Sequence, residues 1–259
     1  FKYSTGITSF NSAFYGCVSL TSTGNATFSG CSNVSVNGFN NTFYNCTLLT
    51  TIDDDTFNGC ENVTSFSGVF SNTSITYIGE RAFANCNAMT TTIKNSISND
   101  LTYVGDEAFA NCTLMTSLLE FFINKTSLTS IGNNVFSNCT SITVISGIFS
   151  NCSSLTTIGN NVFSVCVSIT DASSIFSNCS SLTTIGDEIF SGCTSTNNFY
   201  RAFYKCISLT EIPISLFKYN TSYSTYCFQE TFSNCVLLTS IPSDLFMNNN
   251  RLLDFSSTF

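Results

Sequence analysis

Phenylalanine recurs along the whole chain at intervals of about 13 or 14 residues. The column consists of Phe14, Phe28, Phe43, Phe57, Phe70, Phe83, Phe109, Phe122, Phe136, Phe149, Phe163, Phe176, Phe190, Phe203, Phe217, Phe232, Phe246 and Phe259, with Ile97 in one slot. A fixed period of this kind is the mark of a repeat architecture. It predicts one elongated stack of similar turns rather than a globular enzyme domain with insertions.

An apolar anchor precedes each of these aromatic positions, and its distance alternates between two values. The distance is five residues from Ile158 to Phe163 and four from Ile145 to Phe149. The two classes never change order, so the unit is one long half followed by one short half. We interpret about 27 residues as one coil, which divides the chain into about nine coils.

Threonine follows the first anchor of every long half. The nine residues are Thr21, Thr50, Thr76, Thr102, Thr129, Thr156, Thr183, Thr210 and Thr239. Stacked coils would place them about 4.8 Å apart, the spacing of strands in a sheet. One interpretation is a ladder of β-branched side chains that suits a sheet. The other is a surface that faces a ligand, and its candidate residues are Thr102, Thr129, Thr156, Thr183 and Thr210, which we call the threonine ridge.

The slot after the second anchor of the long half is usually glycine, as at Gly159, but it holds Pro213 and Pro242 in two coils. Proline fixes φ near −65°, so this slot cannot require a positive φ in every coil. Acidic and amide residues follow it, for example Asp106 and Asn133. Stacked carboxylates could hold Ca²⁺, but asparagine and arginine interrupt the column and no calcium-loop motif occurs. The favoured interpretation is a solvated turn.

Thirteen of the fourteen cysteines lie three residues after a member of the phenylalanine column, and Cys227 is the exception. This register favours buried thiols that act as small hydrophobic side chains. A disulfide between adjacent turns remains geometrically possible. A zinc site needs paired Cys-x-x-Cys motifs or histidine partners, and the chain contains neither.

Composition narrows the function further. The chain has no histidine, only eight lysines and arginines, and a net charge of −8. Such a charge argues against nucleic acid and anionic membranes as partners, and the apolar runs are too short to cross a bilayer. Without histidine and with scattered lysines, no nucleophile–base pair is expected, so we predict neither catalysis nor a cofactor or metal. No polar caps are visible, and residues 1–259 are expected to form a single solenoid that is part of a longer array.

Two half-repeats carry a resemblance to a known family. Residues 127–139 read Ser-Leu-Thr-Ser-Ile-Gly-Asn-Asn-Val-Phe-Ser-Asn-Cys, and residues 101–112 follow the same scheme. The scheme Leu-x-x-Ile-Gly-x-x-Ala-Phe-x-x-Cys resembles the BspA-type (Treponema pallidum-type) leucine-rich repeat family. The resemblance implies a leucine-rich-repeat-like, right-handed coil, and we expect strands on the Leu-Thr-x-Ile segments and short helical turns at Phe-x-x-Cys. It also implies a bacterial, phage or protist surface protein without catalytic residues.

Two functions follow as expectations. The first is adhesion or recognition of a protein or glycan at the cell surface or outside the cell. The alternative is a structural subunit of an extracellular filament or phage fibre, built by end-to-end association of solenoids. Asn-x-Ser/Thr sequons also recur, and Asn111, Asn138, Asn151 and Asn178 are candidate glycosylation sites in a secreted eukaryotic protein. A chain this rich in serine, threonine and asparagine also forms many sequons by chance.

Overall fold

The computed structural model describes residues 1–90, 97–118, 121–221, 227–249 and 255–259. Its strands are six two-residue segments: β1 Thr51–Ile52, β2 Tyr77–Ile78, β3 Tyr103–Val104, β4 Ser130–Ile131, β5 Thr157–Ile158 and β6 Thr184–Ile185. They form one parallel sheet in the order β1-β2-β3-β4-β5-β6. Within these ranges no helix long and apolar enough to cross a membrane occurs.

The register of the sheet confirms the predicted coil and the predicted strand position. Ile131 pairs with Ile158 and Ile158 with Ile185, so corresponding residues of these coils are 27 positions apart. Each strand occupies the last two residues of a Leu-Thr-x-Ile segment or its variant. A second ladder of single parallel bridges joins the short halves through Ser117, Val144, Asp171 and Asn198. The long halves and the short halves therefore each carry a ladder of their own.

The phenylalanine columns form the core between these ladders. Phe136, Phe149, Phe163 and Phe176 all have 0% exposure, which confirms that they are buried. Rings of successive coils stack face to face: Phe136 and Phe163 have centroids 5.5 Å apart and an interplanar angle of 8°. The short-half anchors add a third aromatic stack at the chain ends, where Phe10 lies against Phe39 and Phe199 against Phe228. The anchor expected at Ile93 lies outside the described residues.

The helical turn predicted at Phe-x-x-Cys is wrong in one respect. The expected hydrogen bond between residues three apart is present, since Cys139 N donates to Phe136 O at 3.2 Å. However, Asn138 between them has a φ of 60°, whereas a right-handed helical turn needs φ near −60° throughout. The segment is therefore a β-turn with one left-handed residue. Asparagine, which adopts this conformation more readily than most residues, suits the slot.

Glycine in the slot after the strand is required by close contact between coils. A Cβ atom on Gly159 would lie 2.4 Å from the carbonyl carbon of Gly132, and one on Gly186 would lie 2.2 Å from the carbonyl oxygen of Gly159. Neither glycine has a positive φ, whereas Gly24 in the same slot has a φ of 81°, so the slot does not require a positive φ in every coil, as predicted. The residue therefore permits close approach of two backbones rather than an unusual conformation. The handedness of the coil stays a prediction.

Candidate functional site

The threonine ridge is exposed, and its hydroxyl groups are used within the stack. All five of its residues are exposed. Thr129 Oγ1 donates to Thr102 O at 2.9 Å, and Thr156 Oγ1 donates to Thr129 O at 3.0 Å. The backbone N–H groups of these threonines donate to the same carbonyls. The column is therefore a ladder that holds coils together, and because its residues are exposed, the interpretation as a surface that faces a ligand stays a prediction.

One rung of this ladder is missing. Thr183 Oγ1 still donates to Thr156 O at 3.1 Å. In the described ranges, however, the Thr183 carbonyl accepts no hydrogen bond and the N–H of Thr210 donates none. The ladder resumes one coil later, where Thr239 N donates to Thr210 O at 3.1 Å. The sheet also ends here, because β6 is its last strand.

Pro213 explains the interruption. In four earlier coils the glycine of this slot donates its N–H to the preceding coil, as Gly159 does to Ile131 O at 2.8 Å, whereas Gly186 in the described chain donates none. Proline has no N–H, and its Cβ and ring cannot occupy a slot in which a Cβ on Gly186 would meet the preceding backbone at 2.2 Å. Pro242 occupies the same slot one coil later without loss of the threonine rung. The threonine rung is therefore lost where a coil with proline in this slot follows a coil with glycine in it.

The spacing between the phenylalanine rings of the long halves, on the side of the threonine ridge, also increases between these two coils. The rings of Phe109 and Phe136 are 5.5 Å apart, whereas those of Phe190 and Phe217 are 6.5 Å apart. On the short halves the spacing does not change, and Phe176 and Phe203 remain 5.3 Å apart. The two coils therefore separate on the ridge side only, as a wedge.

This wedge opens a cleft of about 390 Å³, which we call the Pro213 cleft. Its lining residues are Thr183, Thr184, Ile185, Asp187, Thr210, Glu211, Ile212 and Pro213. Ile185 and Ile212 are 6% and 5% exposed and form its apolar base, while the threonines and carboxylates are exposed at its rim. The sequence analysis identified Thr183 and Thr210 but missed the cleft, although Pro213 in a glycine slot was its signal.

The acidic column lies in turns with half-buried or exposed side chains, as expected, and it is also a ladder. Asn133 N donates to Asp106 Oδ1, Asn160 N to Asn133 Oδ1, and Asp187 N to Asn160 Oδ1, each at 2.8 Å. Aspartate and asparagine each carry an Oδ1 atom that accepts this hydrogen bond, so either residue can occupy the slot. Among the residues that the structure describes, no group of three or more potential metal ligands comes together.

The candidate glycosylation sites lie in two further ladders, one on the long halves with Asn111 and Asn138 and one on the short halves with Asn151 and Asn178. Asn138 Nδ2 donates to Asn111 Oδ1 at 3.0 Å, and Asn178 Nδ2 donates to Asn151 Oδ1 at 3.0 Å. Each of the four has a φ near +60°. An N-linked glycan is attached to the asparagine side-chain amide, and in the folded chain that amide already donates to the asparagine of the preceding coil. Glycosylation of these residues stays a prediction.

The cysteine column supplies hydrogen-bond donors. All fourteen cysteines are free thiols. Cys139 Sγ donates to Phe109 O and Cys152 Sγ to Phe122 O, both at 3.2 Å. Where the slot holds Lys125, its Nζ donates to Ile97 O at 3.1 Å, the carbonyl of the corresponding residue one coil earlier. The sequence analysis recognised small buried side chains here but missed their role as donors.

Burial makes these thiols unreactive. It raises the pKa of Cys152 to about 12 and that of Cys235 to about 12. The thiolate is the reactive form of cysteine, and almost none is present at neutral pH. The buried cysteines therefore lack the chemistry of a nucleophile and are part of the architecture, whereas Cys17 is exposed.

Comparisons with known proteins point to one family. The chain is similar in structure to a Treponema pallidum leucine-rich repeat protein, with 20% identity, coverage of 68% of this chain and 76% of that one, and a TM-score of 0.31. A leucine-rich repeat protein from Bacteroides ovatus is 21% identical, with coverage of 92% and 86% and a TM-score of 0.27. Comparison with curated proteins finds no significant match. The profile of the BspA type leucine rich repeat region matches in 6 copies, over residues 1–115, 50–197 and 115–257. The chain therefore belongs to the BspA-type leucine-rich repeat family.

Proposed function

We propose that this protein is a non-catalytic recognition module at the cell surface or outside the cell, which binds a protein or a glycan through the threonine ridge. The observation that carries the proposal is the continuous exposure of the ridge from Thr102 to Thr183, with each hydroxyl held by the preceding coil. The Pro213 cleft interrupts the ridge at its C-terminal end.

The geometry suits recognition because the ridge is ordered before any ligand arrives. The hydroxyl groups of four ridge threonines already donate to the preceding coil, for example from Thr156 Oγ1 to Thr129 O at 3.0 Å, so rotation of these side chains is restricted. Ordering of interface side chains on binding costs roughly 0.5–1.5 kcal/mol each, and a pre-ordered row avoids most of that cost. The ridge offers hydrogen-bond acceptors and methyl groups, which complement ligands that carry hydroxyl or amide donors.

Charge supports the choice of partner. A net charge of −8 with eight dispersed basic residues provides no electrostatic footprint for a nucleic acid or an anionic bilayer. Proteins and neutral glycans are the remaining partner classes. A surface or extracellular location fits the same proposal.

The test is a binding screen of the purified chain against arrays of extracellular matrix proteins and of glycans. In a ridge variant, Thr129, Thr156 and Thr183 are together replaced by lysine, and we expect it to lose binding while its circular dichroism spectrum is unchanged. A matched control exists on the short halves, where Thr116, Thr143 and Thr170 are also exposed and Thr170 Oγ1 donates to Thr143 O at 3.2 Å. The control with lysine at these three positions should bind as the wild type does.

Three outcomes contradict the proposal. Unchanged binding by the ridge variant would move the binding surface elsewhere, and loss of binding in the short-half control alone would move it to the other ladder. If the wild type binds nothing on either array and sediments as long assemblies, the protein is a filament subunit instead.

A further inference from the structure

We infer that the Pro213 cleft binds an extended peptide segment that carries lysine or arginine. This inference rests on the proposed function and names the partner class for one part of the ridge. It has three independent supports: unused backbone groups, the charge of the lining and the shape of the wedge.

The first support is the missing rung. At each of the other described rungs, from Thr50 to Thr239, the threonine N–H donates to the threonine carbonyl of the preceding coil. Between Thr183 and Thr210 that pair is open, and the Ile185 carbonyl likewise accepts no hydrogen bond within the described chain. Pro213, in the slot that bonds the corresponding carbonyl in four earlier coils, has no N–H to donate. Backbone groups of this kind are the groups that pair with an added extended peptide.

The second support is charge complementarity. Asp187 and Glu211 line the cleft, and none of its eight lining residues is basic. Ser215 Oγ donates to Asp187 Oδ1 at 3.1 Å, which orients that carboxylate. Carboxylates and free carbonyls accept hydrogen bonds, so the cleft favours a ligand rich in donors. An ammonium or guanidinium group on an extended backbone supplies donors of both kinds.

The third support is shape. The coils separate only on the ridge side, so the cleft is open to solvent along the ridge and closed towards the core by Ile185 and Ile212. A separation of ring centroids of 6.5 Å is too small for a complete strand to enter between the coils, because strands in a sheet need about 4.8 Å on each side. The peptide therefore lies across the mouth of the cleft, with its basic side chain between the carboxylates.

The test uses a fluorescein-labelled nine-residue peptide of alternating lysine and threonine, with fluorescence anisotropy as the measurement. Three matched peptides accompany it: one with glutamate in place of lysine, one with N-methylated backbone amides, and one with D-residues. We expect binding of the lysine peptide only. Adding salt should weaken it, because the charges at the mouth are solvent-exposed.

The protein variants separate the cleft from the rest of the surface. Pro213→Gly restores the glycine slot and should close the cleft, and the double variant Asp187→Asn with Glu211→Gln keeps its shape but removes its charge. We expect each to lower the affinity by roughly tenfold or more, since hydrogen bonds to charged groups dominate the contact. Pro242→Gly, at the same slot one coil later, and Asp106→Asn, in the same column, are the controls and should bind as the wild type does.

Equal binding by Pro213→Gly and the wild type, equal binding of the glutamate peptide, or no binding of the lysine peptide would each overturn the inference. Binding of a glycan that Pro213→Gly abolishes would also overturn it and would make the cleft a sugar site. The proposed function is tested separately, because its ridge variant and arrays do not depend on this peptide. If the ridge variant loses binding on the arrays but the wild type does not bind the lysine peptide, the recognition function stands while the peptide site is rejected.

Discussion

At the scale of the residue, the most informative slot is the one after Phe-x-x. Its members differ in chemistry, yet Cys139 and Lys125 both donate to the carbonyl of the aromatic slot in the preceding coil. Asn220 also donates backwards, to Cys193 O at 2.9 Å. A buried carbonyl that loses its donor costs about 1–3 kcal/mol. The slot therefore selects a buried hydrogen-bond donor, and cysteine meets that need with the least polarity.

The first prediction concerns the aromatic core. Phe149 is fully buried, and its ring stacks on Phe122 and Phe176 at centroid distances of 4.9 and 5.3 Å. Phe149→Ala should lower the free energy of unfolding by about 3–5 kcal/mol, because it leaves a cavity that neighbouring coils cannot fill. Urea unfolding followed by circular dichroism measures this. A loss below about 1 kcal/mol would contradict the stacking of the core.

The second prediction tests the donor role of the cysteines. Cys139→Ala removes volume and leaves the Phe109 carbonyl without its donor, so it should lower the free energy of unfolding by about 1–3 kcal/mol. Cys17 is exposed and is the matched control. Cys17→Ala should leave the stability within about 0.5 kcal/mol of the wild type. Equal effects of the two substitutions would remove the distinction drawn here.

The third prediction concerns pH. An unfolded thiol has a pKa of about 8.5, whereas burial raises the pKa of Cys152 to about 12 in the folded chain. Between these values the unfolded state loses the proton and the folded state keeps it. The contribution to stability is therefore fully present below about pH 8.5 and is lost as the pH rises, by up to about 1.4 kcal/mol per pH unit for each such thiol.

The measurement is urea unfolding in the presence of reductant at several pH values from neutral to about 10, close to the ionisation range of free thiols. The Cys152→Ala variant provides the control, because it lacks one of the ionising groups and should show a shallower loss. A stability that stays constant through this range would mean that the thiols are not buried as described.

At the scale of the element, the residue in the slot after the strand determines whether two adjacent coils pack closely or separate. Glycine lets the backbones of adjacent coils approach, as at Gly159 against Gly132. Proline at position 213 removes a donor and adds a ring, and the coils separate into the Pro213 cleft. The two-residue strands are too short to resist this, since each contributes only a few rungs.

The fourth prediction follows from this contact. A Cβ atom on Gly159 would lie 2.4 Å from the backbone of Gly132, so Gly159→Ala should lower the free energy of unfolding by about 1–3 kcal/mol or more through overpacking. Gly6 has no atom within 4 Å of the same position and is the matched control. Gly6→Ala should be close to neutral in the same urea titration. A neutral Gly159→Ala would show that the coils can separate freely.

At the scale of the whole molecule, the architecture is a succession of contacts between neighbouring coils. Both ladders and all aromatic stacks join each coil to the next one along the chain. In such a stack stability is approximately the sum of coil and interface contributions. The number of coils can therefore change without disrupting the stack. A shift by half a coil cannot be accommodated, because the long and short halves occupy different sides of the solenoid.

The fifth prediction compares two deletions. Removal of residues 132–158 joins Ile131 to Gly159 and deletes one full coil, as the pairing of Ile131 with Ile158 defines it. This chain should fold, with an m-value lowered in proportion to the surface lost. Removal of residues 137–149, about half a coil, places a long half against a short half and should prevent cooperative folding. Circular dichroism with urea unfolding distinguishes them, and equal stability would contradict the two-sided coil.

Much of this protein is determined by the sequence itself. The period of the phenylalanine column, the alternation of anchors such as Ile158 and Ile145, and the threonine column together predicted the coil length, the strand position and the buried core. These features can be recognised in the sequence because every coil of a repeat makes the same contacts with its neighbours. The same residue type therefore recurs at the same position of each coil. A glycine or a phenylalanine at a repeated slot reports the contact that it makes in each coil.

Only the tertiary structure determined which hydrogen bonds the residues of each column make between neighbouring coils. Three hydrogen bonds illustrate this: Cys139 Sγ donates to Phe109 O, Asn160 N donates to Asn133 Oδ1, and Asn138 Nδ2 donates to Asn111 Oδ1. Each joins residues 27 to 30 positions apart. Their geometry depends on the stagger of adjacent coils, which no single repeat contains. The Pro213 cleft has the same origin: the sequence shows a proline in a glycine slot, but only the distance between two stacked backbones makes that exchange open a cavity.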